Sequence, residues 1–318
     1  MSLNQLYQVI GISKQGVHKM LNLNQKRKDE FAQIVRYVED IREDHPTMGL
    51  RDMYFKILPD FMGRDRFEEF CKQTGFMIKH KSKHCKTTDS NGVKRFPNLI
   101  KGLTITHLNQ VWQSDITYYE IDGVFYYITF ILDSYSRRII GYSVSKRLLT
   151  DYTTLPALKM ALKTRKDCKL INLIFHSDGG GQYYAKEFLE ITTKQGITNS
   201  MCKHAYENGK AERINGVIKN NYLKHKQINS FEKLVKEVDH AVSMYNNEKP
   251  HIKLKRKSPI QFENNLLLLN WQETAKMTKS FDAKTNKTLF FEGIEPSKKQ
   301  GKKTAQNQNV FVANEMES

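Results

Sequence analysis

The apolar positions of this chain change period along its length. Phe31, Ile34, Val35, Val38 and Ile41 recur at helical spacing, and Arg27–Ile57 reads as two helices broken at His45-Pro46. Upstream, Leu3–Leu21 reads as two helical halves around Gly11, the second started by a serine. That is a helix-turn-helix pattern, and a plain helical hairpin has the same appearance. Arg64–Thr74 is a further helix, stopped by Gly75. From Asn109 the period shortens. VWQSDITYYEI, VFYYITFILD and RRIIGYSVS read as three strands, with the Asp122-Gly123 turn signal between the first two, so they form an antiparallel meander. Asp151–Thr164 is helical, LINLIF is a central strand covered on both faces, and Ala185–Gln195 is a helix ended by Gly196. ITNSM is a last strand, followed by helices over Gly209–Tyr222 and Ser230–Asn247. The order is β-β-β-α-β-α-β-α-α, an α/β layout with a mixed five-stranded sheet behind a small helical region. The apolar run Leu266–Trp271 is too short to cross a bilayer and reads as part of a packed helix.

Two stretches lack any period. Residues 79–108 carry a dense basic run and read as a linker able to track phosphates; after about Thr278 the chain turns polar, and residues 266–318 read as a helix followed by a partly disordered basic tail. The expected division is therefore 1–78, a helical DNA-binding region; 79–108, the linker; 109–265, the catalytic core; and 266–318.

Charge narrows the function. With 51 Lys+Arg against 34 Asp+Glu, the net charge is +17, and a soluble protein this basic is expected to meet nucleic acid. The four cysteines have no paired spacing, which fits a reducing compartment, and no leader or membrane span is apparent. The expectation is a bacterial cytoplasmic, nucleoid-associated protein without a membrane partner.

Against this background three acids stand out: Asp115 inside the first strand, Asp178 at the end of the central one, and Glu212 at the start of a Lys/Arg/Asn-rich helix. Buried carboxylates are costly unless compensated. Three of them from separate elements of a basic chain point to a divalent cation acting on nucleic acid. Glu207 competes with Glu212 for the third place. His176 shares a strand face with Asp178, either assisting the site or simply packed; Gly179–Gly181 either bring backbone N–H groups to phosphate or form a plain turn. Asp133 reads as structural, paired with Arg137, Arg138 or nearby backbone N–H groups.

The segments NQVWQSDITYYE, YYITFILDSYSRRIIGYSVS, IFHSDGGGQYYAKEFLE, GKAERINGVIKN and YNNEKPHIKLKRKSPIQFE, in this order, resemble the catalytic core of insertion-sequence transposases of the DDE group, relatives of retroviral integrases. The likeness spans about Asn109–Glu263, and HPTMGLRDMYFKI resembles the helix-turn-helix-like region that precedes such cores. The resemblance implies an RNase H-like fold, DNA strand cleavage and strand transfer, and Asp115, Asp178 and Glu212 as ligands of two Mg²⁺ ions, with Mn²⁺ as substitute. Glu212 lies 34 positions after Asp178, slightly fewer than is usual in the family. Lys210, Arg213 and Lys219 of the Glu212 helix, with Lys253, Lys255 and Arg256, are read as DNA contacts, a solvated helix face being the alternative, and His176, Gly179 and Asn208 as supporting residues. The resemblance further implies a homo-oligomer on paired element ends and, in many relatives, a separate DNA-binding protein from an upstream frame. A metal-dependent nuclease of the same fold, or an inert DNA-binding derivative, are the alternatives.

Overall fold

At the centre of the molecule lies a five-stranded sheet in the order β3-β2-β1-β4-β5. The computed structural model describes residues 3–11, 13–78, 96–202 and 205–269. β1 (Val111–Ile121), β2 (Val124–Asp133) and β3 (Ile139–Ser145) form the antiparallel meander. Asp122 and Gly123 both take positive φ, 49° and 79°, a hairpin geometry that matches strand twist. β4 (Ile174–Ser177) runs parallel to β1, and β5 (Thr198–Met201) parallel to β4. Parallel neighbours need crossovers, supplied by α5 (Thr154–Thr164) and α6 (Lys186–Lys194).

The sheet is covered on both faces. Trp112, Ile131, Ile140, Leu158, Phe175 and Phe188 fill the layer beneath α5 and α6. Ile128, Phe130, Ile218, Leu234 and Val238 fill the opposite layer, beneath α7 (Gly209–Asn221) and α8 (Phe231–Asn247). The predicted element order is observed, and this mixed sheet with helices on both faces is the RNase H-like arrangement. Two boundaries moved. Thr150–Tyr152 form a 3₁₀ turn before α5 begins at Thr154. The central strand starts only at Ile174, because Asn172 at φ 55° breaks the extended run; Leu173 still reaches the core, fully buried.

The N-terminal helices are α1 (Leu3–Ile10), α2 (Lys14–Asp44), α3 (Leu50–Ile57) and α4 (Arg64–Gln73). Gly11, at φ 73°, makes the turn, and Ser13 caps α2 by accepting from the Gly16 N–H. The helix that starts there does not end near Leu21. It runs 31 residues to Asp44, merging two helices that read separately, since neither Gly nor Pro interrupts Lys19–Asp44. It breaks at His45-Pro46 as expected. Ile34, Val38, Met53 and Phe67 form a small core there. These helices and the sheet share one compact unit, Met1–Leu268. His45 Nδ1 meets the Tyr222 hydroxyl at 3.1 Å, Lys226 Nζ donates to the Glu43 carbonyl at 3.2 Å, and Lys56 pairs with Glu248.

Most of the basic linker lies outside the described residues. Its end does not float free: the Pro97 carbonyl accepts from the Ser200 hydroxyl and the Met201 N–H, beside β5. Residues 259–269 are helical, but Leu267, Leu268 and Leu269 are mostly exposed, so among the described residues the leucine run is not packed; Asn270 and Trp271 lie outside them.

Candidate active site

Strand alternation sends Trp112 to the α5/α6 layer and Tyr119 and Ile121 to the α7 layer. Asp115 shares the phase of Tyr119 and faces α7, where Asn215 Nδ2 donates to its Oδ2 at 2.8 Å. The Ile116 N–H holds its other oxygen at 3.0 Å. In the parallel pair, Gln113 sits opposite His176, so both strands reach a carboxylate two residues later: Asp115 on one, Asp178 just past the end of the other. The Gly180 N–H donates to Asp178 Oδ1 at 3.1 Å. That N–H is thus committed to the carboxylate, and the first glycines read as the turn that shapes Asp178. A Cβ on Gly180 would come within 3.0 Å of the same oxygen. Glu212 stands in the first turn of α7, on an exposed side chain.

The three acids sense one another. Burial, then Asp178, then Glu212 push Asp115 up to about 8, against the opposing pull of the Ile116 N–H and Asn215. Burial and Asp178 raise Glu212, and burial raises Asp178. Among the described residues none of the three makes an ion pair with Lys, Arg or His. Nor, among the described residues, are any three His, Cys, Asp or Glu side chains gathered tightly enough to hold an ion as they stand. Glu207 raises His176, and with Asp178 and Asp115 it raises Cys202.

The other residues singled out in the sequence lie as follows. His176 is fully buried, its Nδ1 2.9 Å from Ser200 Oγ, and burial lowers it to about 4, so it is a neutral packed histidine. Asn208 is buried and donates to the Ser114 carbonyl at 2.8 Å, tying the start of α7 to β1 beside Asp115. Lys219 lies over the Tyr118 ring, 4.9 Å from its centroid, and 3.3 Å from the Thr117 hydroxyl. Lys210 donates to the Ser134 carbonyl at 3.0 Å. Arg256 is occupied by Asp52, at 2.5 Å, and by the Phe55 ring, whereas Lys253 and Lys255 are exposed. Asn215, three residues after Glu212, was legible only as a polar residue of that helix; its contact with Asp115 needs the fold.

Asp133 is structural, with a correction to its partner. It accepts from the N–H groups of Asn109 (2.7 Å), Tyr135 (2.9 Å) and Ser136 (3.3 Å), but the nearby guanidinium is Arg165, at 3.6 Å, not Arg137 or Arg138. Arg165 and Arg138 converge on Glu263, which also accepts from Ser136 Oγ.

Comparison with known proteins places this arrangement. Two family models described as "Integrase core domain" match residues 106–206 and 195–259. The insertion element IS600 uncharacterized 31 kDa protein of Shigella sonnei is 30% identical over 265 residues, covering 80% of this chain and 96% of that protein. Transposase InsF for insertion sequence IS3A, from Escherichia coli K12, is 32% identical over 159 residues, 49% of this chain and 54% of that one. A putative transposase for IS986/IS6110 from Mycobacterium tuberculosis is 35% identical over 121 residues, 36% of this chain and 43% of the relative. Among solved structures, the HTLV-2 integrase catalytic core domain in complex with magnesium is 23% identical, with TM-score 0.39, and covers 48% of this chain and 95% of that one. With the relative from Shigella sonnei aligned almost end to end and the integrase core matched across the sheet, the chain belongs to the insertion-sequence transposases with an integrase catalytic core.

Proposed function

We propose that this transposase cuts and joins DNA at the end of its sheet where Asp115 and Asp178 adjoin, with Glu212 as the third carboxylate. The observation that carries the reading is the uncompensated cluster: Asp115 is pushed up to about 8 by burial and by two like charges, with no basic ion-pair partner among the described residues. Such a group asks for a cation. An all-oxygen set of carboxylates suits a hard divalent ion such as Mg²⁺, or Mn²⁺ in its place, and three carboxylates suffice for a pair of ions. When bound, the metal supplies charge neutralisation to the attacking and leaving oxygens of an in-line phosphoryl displacement.

The chain's own residues do the positioning. Asn215 and the Ile116 N–H fix both oxygens of Asp115, and the Gly180 N–H fixes one of Asp178. Glu212 sits on an exposed, rotatable side chain and closes the set by a rotamer change. Glu212 is among the charges that raise Asp115 and is itself raised by Asp178, which supports it as the third ligand.

DNA is the substrate, recognised through the basic surface, and paired element ends imply a homo-oligomer. The helical region 1–78 serves as a further DNA-contacting module, the linker as a phosphate track and 109–265 as the catalytic core. Whether α1 and the start of α2 replace the DNA-binding protein of an upstream frame is part of the same proposal. The test is strand transfer of pre-cleaved element ends into a target plasmid with Mg²⁺. Joined products are expected, and hydrolysis with no joined product would sink the reading in favour of a nuclease.

A further inference from the structure

Between α7, the turn after β2 and the segment after α8 lies a concavity of about 400 Å³. Its charged lining is one-sided: Arg137 from the turn after β2, Lys210 and Arg213 from α7, and Lys249 and Lys253 from the segment after α8. The one acid there, Asp52, is already engaged by Arg256. Among the described residues Arg137, Arg213, Lys249 and Lys253 make no ion pair at all. Burial and the nearby Arg213 lower Lys249, while Asp52 pulls the other way, which marks a cation held among cations. His251 closes the wall, and its Nε2 is buried without a hydrogen-bond partner.

The backbone is bent to build this wall. Arg137 sits at φ 64°, in a turn whose N–H groups are anchored on Asp133. Lys255 and Arg256, at φ 54° and 61°, curl the loop that begins at His251 and returns to pair with Lys257. Left-handed conformations in bulky residues cost free energy and cluster where function fixes geometry. Arg213, Val217 and Asn221 form one stripe of α7 that lines this pocket and also the adjoining hollow that contains Glu212.

We infer that this pocket is a binding site for a backbone phosphate of the DNA strand that crosses α7 beside Glu212, with Arg137 and Lys249 as new phosphate-binding residues beside Lys210, Arg213 and Lys253. Like charges gathered without a counter-charge repel, and a phosphodiester relieves that repulsion. Only the naming of the polymer as DNA rests on the function proposed above; the anion class follows from the lining itself.

The experiment is lysine acylation footprinting of the full chain without divalent metal, using duplex DNA of arbitrary sequence as the probe and inorganic phosphate as the second arm. Protection of Lys253 and Lys249 by DNA is expected, with remote Lys186 on α6 unprotected. In parallel, Arg137→Gln with Lys253→Gln is expected to lower the slope of log Kd against log salt by about 0.9 for each phosphate that the variant no longer neutralises. No protection and an unchanged slope would overturn the inference. Equal protection by inorganic phosphate with none added by DNA would also overturn it, in favour of a small-anion site. The footprint is repeated with Asp178→Asn. The pocket requires protection there whether or not strand transfer survives, so failure of the carboxylate assignment and failure of the pocket give different results.

Discussion

Two groups of carboxylates stand on one sheet, and they are treated in opposite ways. Asp133, at the end of β2, receives three backbone N–H groups and lies beside Arg165, whose guanidinium is shared with Glu263; Arg138 and the Ser136 hydroxyl complete that network. Asp115 and Asp178 receive N–H groups too, but no cation among the described residues. On the proposed reading, the difference separates an acid that holds the fold from an acid that waits for a ligand. A buried charge supplied with every partner is part of the scaffold, whereas one left short of a counter-charge keeps a site open at the cost of stability.

The largest effect that would break this comparison is on activity. Asp178→Asn is expected to lower Mg²⁺-dependent strand transfer by about 10²–10³-fold or more while leaving thermal stability unimpaired. Full strand transfer in this variant would remove Asp178 from the chemistry. The complementary experiment is on the scaffold. Glu263→Ala leaves Arg165 buried and unpaired, and loss of one partner of such a pair costs about 3–5 kcal/mol. A fall in the melting temperature of less than a few degrees would show that the network is ornamental. Asp115→Asn sharpens the contrast from the other side: it removes a buried like charge while an amide still fills the space, so the metal-free protein should melt a few degrees higher and lose strand transfer. A lower melting temperature would mean that the cluster is already compensated.

Smaller effects test how partners fix these groups. Asn215→Ala should reduce strand transfer by about 10–100-fold, the usual cost of losing a residue that orients a metal ligand, and raising Mg²⁺ should recover part of it. Unchanged activity would leave Asn215 as packing only. His45 supplies a buried group kept neutral instead of charged. It faces Tyr222 just after α7, Lys56 from α3, and Glu248 and Lys249 after α8. Burial first, then Lys56, lower it from 6.5 to about 4, with Glu248 opposing. The unfolded chain therefore binds more protons between those values. The stability contributed by neutral His45 is complete above about 6.5 and is lost as the pH falls towards about 4. His45→Gln should flatten that limb of the melting-temperature profile, and an unaltered limb would assign it to other groups.

Much of the fold was legible because it rests on local pattern. The meander from Val111 to Ser145 follows from period-two alternation and the Asp122-Gly123 turn, and β2 is observed over the same residues as read. The long α2 was not, because a polar stretch between Leu21 and Arg27 looks like a boundary until Ile34, Val38 and Ile41 are seen to share one face packed against α3 and α4. The leucine run near residue 267 misled in the other direction, since apolar composition alone does not say what covers it.

Within the proposed site, the order of Asp115, Asp178 and Glu212 along the chain and the elements that carry them were legible in the sequence, because residue type and element type are local properties. Tertiary structure alone decided which acids are compensated. Arg165 reaches Asp133 across 32 positions, Glu263 reaches Arg165 across 98, and Asn215 reaches Asp115 across 100. It also gathered Arg137, Arg213 and Lys249 around one pocket from segments that share no pattern. Electrostatic compensation depends on distances of a few ångströms between groups remote in the chain, and only the folded packing sets those distances.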